Sequence, residues 1–225
     1  MSACAVLFDM DGTLIDSEPF HYETLLKAIA AFSGTVPENF ENRVTGTTIA
    51  HCHAMLRNET GFTADLDAFV KAKYAAYVDG AIRLKFRPGA AEILTYLDRA
   101  GIPYAIVSNS DRILMDANLR AVGLKRPDFI SVSRNDVREG KPAAEPYLRG
   151  AYLLGVEPSQ CIVVEDSVPG AHAGLAAGMT VIGWPEPHRT DLIFPNGVVT
   201  ADPDNLLSSL QPLLSAVVQQ QVRQG

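Results

Sequence analysis

Three carboxylates lie within eight residues near the N-terminus, in the stretch CAVLFDMDGTLIDSE, at Asp9, Asp11 and Asp16. Carboxylates this close repel one another unless a cation lies among them or one of them holds a proton. The apolar run AVLF predicts a strand that leads into Asp9, and in an extended backbone Asp9 and Asp11 project to the same side. The pattern therefore predicts one site that contains two carboxylates and needs positive charge.

Two further predicted strands end in polar residues. The run CIVVEDS ends in Glu165 and Asp166, and the run YAIVSNS ends in Ser108. Because the carboxyl ends of parallel strands gather at one edge of a sheet, these side chains are expected beside Asp9. A small set of oxygen ligands with room for water suits Mg²⁺, whereas zinc prefers His or Cys. The sequence therefore predicts a Mg²⁺ site at this edge.

A second positive charge is offered by the lysine of the stretch GKPAAE. Lys141 lies directly before Pro142, which is expected to begin the next helix. A lysine near carboxylates remains charged and can bind a phosphoryl oxygen as a point charge. Mg²⁺ and Lys141 together would supply the charge that the carboxylates need.

The elements that must position these residues alternate along the chain. Helix-like segments stop at Gly101, Gly123, Gly155 and Gly178, and an apolar run follows each glycine. This alternation predicts an α/β fold around a parallel sheet that is buried on both faces. Residues from about 20 to 85 show helical stripes instead and predict a helical insertion. Strands are expected at about 4–8, 104–108, 129–132, 161–164 and 179–183.

Composition narrows the class of partner. The chain has 225 residues, of which 47% are hydrophobic, and a net charge of −7, so no basic surface for nucleic acid or an anionic membrane is expected. Its three cysteines are scattered, which favours a reducing compartment over a disulfide framework. No apolar run approaches the roughly eighteen residues that span a bilayer. We expect a cytoplasmic protein, a monomer or weak homodimer, whose partner is a small molecule.

Four segments together resemble the motifs of the haloacid dehalogenase-like superfamily, over essentially the whole chain. The first motif, Asp-x-Asp-x-Thr, reads DMDGT and ends at Thr13; the second ends in Ser108; the third is Lys141 in GKP; the fourth is the ED pair of VVEDSVPGAHAGLAAGM. All four occur in order and at fitting distances. The insertion after the first motif is similar to the cap of the subfamily that contains β-phosphoglucomutases, phosphoglycolate phosphatases and sugar-phosphate phosphatases.

The resemblance implies a fold and a reaction. The fold would be α/β, with a Rossmann-like three-layer core and a central parallel sheet over residues 1–18 and 86–225, and an inserted α-helical cap over residues 19–85. The reaction would be Mg²⁺-dependent hydrolysis of a small phosphorylated metabolite, a sugar phosphate or a phosphoglycolate-like compound. A β-phosphoglucomutase-type mutase and a catalytically silent binding protein on the same fold are the alternatives.

The resemblance also implies residue roles. Asp9 would attack phosphorus and form an aspartyl phosphate, and Asp11 would act first as acid and then as base. Ser108 and Lys141 would bind the transferring phosphoryl oxygens, and Asn109 beside Ser108 could contact the phosphate or the leaving group. The metal ligands would be Asp9, the backbone carbonyl of Asp11, Asp166 and, directly or through water, Glu165.

Several residues of the insertion keep two interpretations. His21 is either substrate-facing or a core or hinge histidine, and Gly46 and Thr47 of VTGTTIA form either a substrate loop or an ordinary interhelical turn. The HCH stretch at residues 51–53 is typical of a metal site, but on a helix its two histidines do not share a face. His172, after the fourth motif, is expected to face solvent or to pack.

Two differences from the sequence features of the β-phosphoglucomutases favour a phosphatase over a mutase. The resemblance to β-phosphoglucomutases would place an arginine shortly after Gly46, but none follows until Arg57. The first motif carries Thr13, as in most phosphatases of the family, where the mutases tend to have valine. The sequence therefore favours water as the acceptor of the phosphoryl group.

Overall fold

The structure is a computed structural model that describes residues 4–187, 189 and 192–222. The chain divides into two compact units, one formed by Met1–Asp16 with Lys85–Gly225 and the other by Ser17–Leu84. No helix among the described residues is both long enough and apolar enough to cross a membrane.

Within the described residues of the larger unit, six parallel strands form one sheet in the order β3-β2-β1-β4-β5-β6. Their central members are buried apolar runs, as expected for a sheet covered on both faces. The predicted α/β fold with a central parallel sheet is confirmed. The strands are β1 Ala5–Phe8, β2 Tyr104–Val107, β3 Ser131–Val132, β4 Cys161–Glu165, β5 Thr180–Gly183 and β6 Val198–Thr200.

Strand β6 was not predicted from the sequence. Its three residues are half-buried or exposed, and they pair with β5 at the edge of the sheet. Because the strand is largely exposed, it contains no buried apolar run of the kind that predicts a strand from the sequence.

The helices occupy both units. The glycines predicted to stop helices adopt positive φ, and Gly101 and Gly155 are the C-caps of α5 and α7 defined here. The helices are α1 Glu18–Ala31, α2 Phe40–Val44, α3 Ile49–Thr60, α4 Leu66–Gly80, α5 Ala90–Ala100, α6 Arg112–Ala121, α7 Glu145–Leu154, α8 Val168–Ala176 and α9 Leu206–Val222.

The expectation that Pro142 begins a helix is wrong, because α7 begins at Glu145. The segment around Pro142 is held in another conformation, and Asn109 contacts it. Its side-chain amide donates to the carbonyl of Lys141 at 3.0 Å and accepts from the N–H of Lys141 at 2.9 Å. These two bonds hold the backbone before Pro142 to the loop after β2. The Ala143 N–H donates to the Gly140 carbonyl at 3.0 Å, so Pro142 lies in a turn that precedes the helix.

The sheet and two helices form the core that supports the strand ends. On one face of the sheet, α7 and α8 contribute buried residues that pack against the strands. The opposite face is also fully buried, at Val6, Phe8, Ile106 and Ile162. This close packing holds the carboxyl ends of the strands in fixed positions.

The helical unit has its own core, which includes Leu25, Ile29, Leu56 and Phe69. His53 belongs to it, since its Nε2 lies 2.8 Å from the carbonyl oxygen of Ala64 and its ring packs against aromatic neighbours. The HCH stretch lies on α3, where His51 is exposed and Cys52 is buried. His53 is accordingly a hydrogen-bonded core residue.

Candidate active site

The pairing of β1 with β4 brings three carboxylates together at the carboxyl ends of these two central strands. Phe8 is paired with Val164, so the residues that follow β1 and end β4 lie side by side. The Asp9 N–H continues this ladder by donating to the Val164 carbonyl at 2.9 Å. Asp9, Glu165 and Asp166 each offer an oxygen, and these oxygens lie within 4.8 Å of one another. Their number and chemistry fit a hard divalent cation.

Lys141 lies within this carboxylate group. Its Nζ donates to Asp9 Oδ1 at 2.5 Å, to Glu165 Oε1 at 2.6 Å and to the Val107 carbonyl at 2.8 Å, and its side chain is only 4% exposed. Burial alone would lower the pKa of Lys141, but Asp9 and Glu165 hold it above its ordinary value. The ammonium therefore stays charged across the physiological range.

Glu165 is fully buried, and both its oxygens accept hydrogen bonds. Oε1 accepts from Lys141 and, at 2.6 Å, from the Tyr147 hydroxyl, while Oε2 accepts from the Ser167 Oγ at 2.8 Å. A Cβ at Gly170 would collide with this carboxylate, so the first turn of α8 requires glycine there. Glu165 therefore orients Lys141. Sequence reasoning missed Tyr147, because its hydroxyl lies on an otherwise apolar helix face.

Asp9 is a buried carboxyl with a raised pKa. Burial raises its pKa to about 7, with Glu165 and Asp11 acting in the same direction and Lys141 opposing them. Three carboxylates beside one ammonium leave an excess of negative charge, which a divalent cation would neutralise. The residues present therefore fit a metal ion.

In the metal-free protein, we expect the free energy of unfolding to fall as the pH rises from about 4 to about 7. The pKa of Asp9 moves from 3.8 to about 7 on folding, so the folded chain binds more protons than the unfolded chain in this window. Urea unfolding in the presence of EDTA, followed across this range, measures the dependence. Asp9→Asn should make the pH dependence of the free energy of unfolding shallower. An identical pH dependence in that variant would contradict the raised pKa of Asp9.

Asp166 is held by the first motif itself. Thr13 Oγ1 donates to Asp166 Oδ1 at 3.0 Å. Gly12 has a φ of 77°, and a Cβ at that position would collide with the Asp166 carboxylate. Gly12 is therefore required for both its backbone conformation and the close approach of Asp166.

Asp11 lies against the loop after β2 and against α6. Its Oδ2 accepts from the Ser110 hydroxyl at 2.6 Å and from the Ser108 hydroxyl at 3.3 Å, and its Oδ1 accepts from Asn118 Nδ2 at 2.9 Å. Of these partners, only Ser108 was a candidate from the sequence. Asn109 is exposed, and its amide is hydrogen-bonded to the backbone of Lys141.

Comparison with known proteins decides the family. The model of the haloacid dehalogenase-like hydrolases matches residues 5–178, which is most of the chain. This chain belongs to the haloacid dehalogenase-like hydrolase family. The family and the hydrolase predicted from the sequence are thereby confirmed.

Relatives of this haloacid dehalogenase-like hydrolase extend over nearly its whole length. Hexitol phosphatase A of Escherichia coli (strain K12) is 34% identical, over 95% of this chain and 97% of the relative. The phosphorylated carbohydrates phosphatase of Thermotoga maritima is 27% identical, over 93% of this chain and 99% of the relative. The solved structure of HAD hydrolase, family IA, variant 3, from Entamoeba histolytica superposes with a TM-score of 0.79 at 26% identity, covering 95% of this chain and 99% of that one.

Sequence reasoning also missed Arg87 in this hydrolase. Arg87 is only 5% exposed, and its guanidinium donates to the carbonyls of Gly12 at 3.1 Å and Trp184 at 2.9 Å, and to that of Pro185. The guanidinium carbon also lies 3.9 Å from the centre of the Trp184 ring. Arg87 thus links the first-motif loop to the loop after β5. A buried arginine before Pro88 has no sequence signal that separates it from a surface arginine.

We expect Arg87→Leu to lower the free energy of unfolding by about 3 kcal/mol or more, since each buried carbonyl left without a donor costs about 1–3 kcal/mol. Urea unfolding measures the change. Arg99→Leu, at an exposed position on α5, is the matched control and should change stability by no more than about 0.5 kcal/mol. Equal stability of the two variants would contradict the role of Arg87.

Of the candidate residues of the helical unit, His21 contacts a buried lysine, whereas Gly46 and Thr47 form a turn. His21 Nδ1 lies 2.9 Å from the Nζ of Lys73, a lysine that is only 7% exposed and whose Nζ lies 5.1 Å from the centre of the Tyr77 ring. Gly46 has a φ of 71°, and Thr47 donates its hydroxyl to the Val44 carbonyl at 2.8 Å, as in an ordinary interhelical turn.

His172, in the larger unit, lies on α8 and is exposed, as expected from the sequence.

Proposed function

We propose that this chain is a Mg²⁺-dependent phosphatase that hydrolyses a sugar or sugar-alcohol phosphate through an aspartyl phosphate on Asp9. The observation that carries the proposal is the position of Asp9, which lies within hydrogen-bond distance of Lys141 and beside Glu165 and Asp166. Asp11, two residues further on, supplies a carboxylate outside that group. The relatives that are named as carbohydrate and hexitol phosphatases support the substrate class.

In the first half-reaction, an Asp9 carboxylate oxygen attacks phosphorus, and the bond from phosphorus to the substrate oxygen breaks. Asp11 transfers its proton to that departing oxygen, so an alcohol leaves. Lys141 and Ser108 bind phosphoryl oxygens, whose negative charge needs partners already in place. The low exposure of Asp9 and Lys141 limits how much water competes for these contacts.

In the second half-reaction, water attacks phosphorus and the Asp9–phosphorus bond breaks. Asp11, now a carboxylate, takes the proton from the attacking water. Inorganic phosphate forms, Asp9 regains its carboxylate and Asp11 its proton. The cycle therefore ends with the enzyme in its starting protonation state.

The proposed metal ligands are Asp9, the backbone carbonyl of Asp11 and Asp166. When bound, Mg²⁺ would neutralise charge on the phosphoryl oxygens and lower the repulsion between phosphate and Asp9. We assign Glu165 an indirect role, since its two oxygens accept from Lys141, Tyr147 and Ser167.

We propose that the helical unit, Ser17–Leu84, is a cap that selects the substrate. Its support is the buried Lys73 beside His21, a cationic group that could recognise hydroxyl or anionic groups of a phosphorylated metabolite. The local bonding of Thr47 gives less support to a substrate-binding role for the Gly46 turn.

The test is phosphate release by the purified protein from hexitol phosphates, sugar phosphates, phosphoglycolate and nucleoside monophosphates, in the presence of Mg²⁺. We expect turnover of hexitol or sugar phosphates, and none in an Asp9→Asn sample purified identically. Faster interconversion of β-glucose 1-phosphate and glucose 6-phosphate than phosphate release would replace the phosphatase with a mutase. No turnover of any phosphate would indicate a silent binding protein.

Asp11→Asn should lower phosphate release by about 10²–10⁴-fold, the usual effect of losing a general acid and base. The isosteric amide should leave the fold nearly unchanged, which circular dichroism can verify. Asp16→Asn is the matched control, because Asp16 belongs to the same carboxylate stretch but is exposed. Equal activities of the two variants would exclude Asp11 from the chemistry.

A further inference from the structure

One fully buried polar side chain lies on the apolar face of α6. Asn118 has no exposed surface, and its helix neighbours Leu114, Met115 and Leu119 are buried apolar residues. A polar side chain in such a position destabilises the fold unless it is hydrogen-bonded. Asn118 therefore requires a hydrogen-bond partner in the interior of the protein.

That partner is the carboxylate of Asp11. Asn118 Nδ2 donates to Asp11 Oδ1 at 2.9 Å, across 107 residues of sequence. The other carboxylate oxygen, Oδ2, accepts from the hydroxyls of Ser110 and Ser108. Asp11 is thus contacted on one oxygen from a helix and on the other from the loop that precedes that helix.

The two oxygens of Asp11 accept from donors of different kinds. An amide N–H can only donate, so Oδ1 must remain an acceptor as long as Asn118 faces it. A serine hydroxyl can rotate to donate or to accept. The Asn118 amide therefore holds Oδ1 with a donor that cannot become an acceptor, whereas the two serine hydroxyls that contact Oδ2 can rotate.

We infer that Asn118 is a positioning residue that fixes the orientation of the Asp11 carboxylate. The inference rests on the proposed function, in which Asp11 protonates the leaving alcohol and later accepts a proton from water. In the first step the proton passes from the Asp11 carboxyl to the departing oxygen as the phosphorus–oxygen bond breaks, and in the second it returns from water to that carboxyl. Asn118 itself exchanges no proton.

Two variants, Asn118→Leu and Asn118→Ala, test this inference. Leucine nearly preserves the volume, and alanine removes the amide without placing methyl groups against Asp11. The readout is kcat/KM for two substrates, since this ratio reports the steps up to departure of the leaving group. One substrate is p-nitrophenyl phosphate, whose leaving group needs no proton, and the other is the best hexitol or sugar phosphate of the panel.

We expect kcat/KM for the hexitol or sugar phosphate to fall by about 10–100-fold, the effect of losing a supporting hydrogen bond to a reacting group. For p-nitrophenyl phosphate the fall should be less than about threefold, because no acid is needed. In an Asp11→Asn background, Asn118→Leu should cause little further loss, as expected for residues that act as one unit.

Leu119→Ala is the structural control, because it creates a cavity at a buried position of the same helix. It should affect both substrates equally. Equal losses on both substrates in the Asn118 variants, or additivity with Asp11→Asn, would overturn the inference while the phosphatase function stands. Absence of phosphate release by the unmodified protein would overturn the proposed function and this inference together.

Discussion

Asp9→Asn is expected to lower phosphate release by about 10⁴-fold or more, as for loss of a catalytic nucleophile. The amide retains the shape of the side chain but cannot attack phosphorus, and the phosphoryl–enzyme intermediate cannot form. The measurement is phosphate release with Mg²⁺ and the best substrate of the panel. Rapid quenching of the unmodified enzyme followed by mass spectrometry should locate a phosphoryl group on the peptide that contains Asp9.

Asp9→Glu separates charge from position in the same assay. The glutamate keeps the negative charge beside Lys141 but moves the carboxylate by one methylene, which spoils the geometry of attack. We expect this variant to lose most of its activity as well. Activity of either variant above about one hundredth of the unmodified level would rule out Asp9 as the nucleophile.

Removal of divalent cations is the second change with a large expected effect, a fall of phosphate release to the background level. One oxygen from each of Asp9, Glu165 and Asp166 lies within 4.8 Å of the others, and Lys141 forms ion pairs with Asp9 and Glu165. Without further positive charge they would repel a phosphate dianion. The measurement is activity after treatment with EDTA and after addition of excess Mg²⁺, which should restore it.

Calcium provides a control for the kind of metal. Its looser and higher coordination should allow Asp9 to bind the ion in a way that hinders attack on phosphorus, so calcium should restore little activity. Binding can be measured separately, because Mg²⁺ should raise the melting temperature of the unmodified protein and have less effect on Asp166→Asn. Full activity in excess chelator would exclude a metal from the reaction.

The local sequence was sufficient to predict the strands of the site and the polar residues at their ends. Asp9, Ser108 and the Glu165–Asp166 pair each come at the end of a short apolar run, so the strand and the polar residue at its end are encoded together within a few residues. Parallel pairing then brings Asp9, Glu165 and Asp166 to one edge, as the sequence predicted. The helical character of the insertion was equally visible, because amphipathic stripes recur along it.

Local sequence was insufficient for the residues that support those strand ends. Asn118, Tyr147 and Arg87 have ordinary neighbours, and their roles come from contacts with chain segments far away in sequence. The separation is 107 residues for Asn118 and Asp11 and 75 residues for Arg87 and Gly12. No periodicity in the sequence predicts a hydrogen bond between residues so far apart in the chain.

The sequence by itself therefore determined the alternation of helices with the five strands from β1 to β5 and the reactive groups at the strand ends, because hydrophobic periodicity and turn residues act between near neighbours. The tertiary structure decided which groups hold those reactive residues, which oxygen of Asp11 faces the Asn118 amide, and that α7 starts at Glu145. The physical reason is that hydrogen bonds form between groups that packing brings within about 3 Å, whatever their separation along the chain.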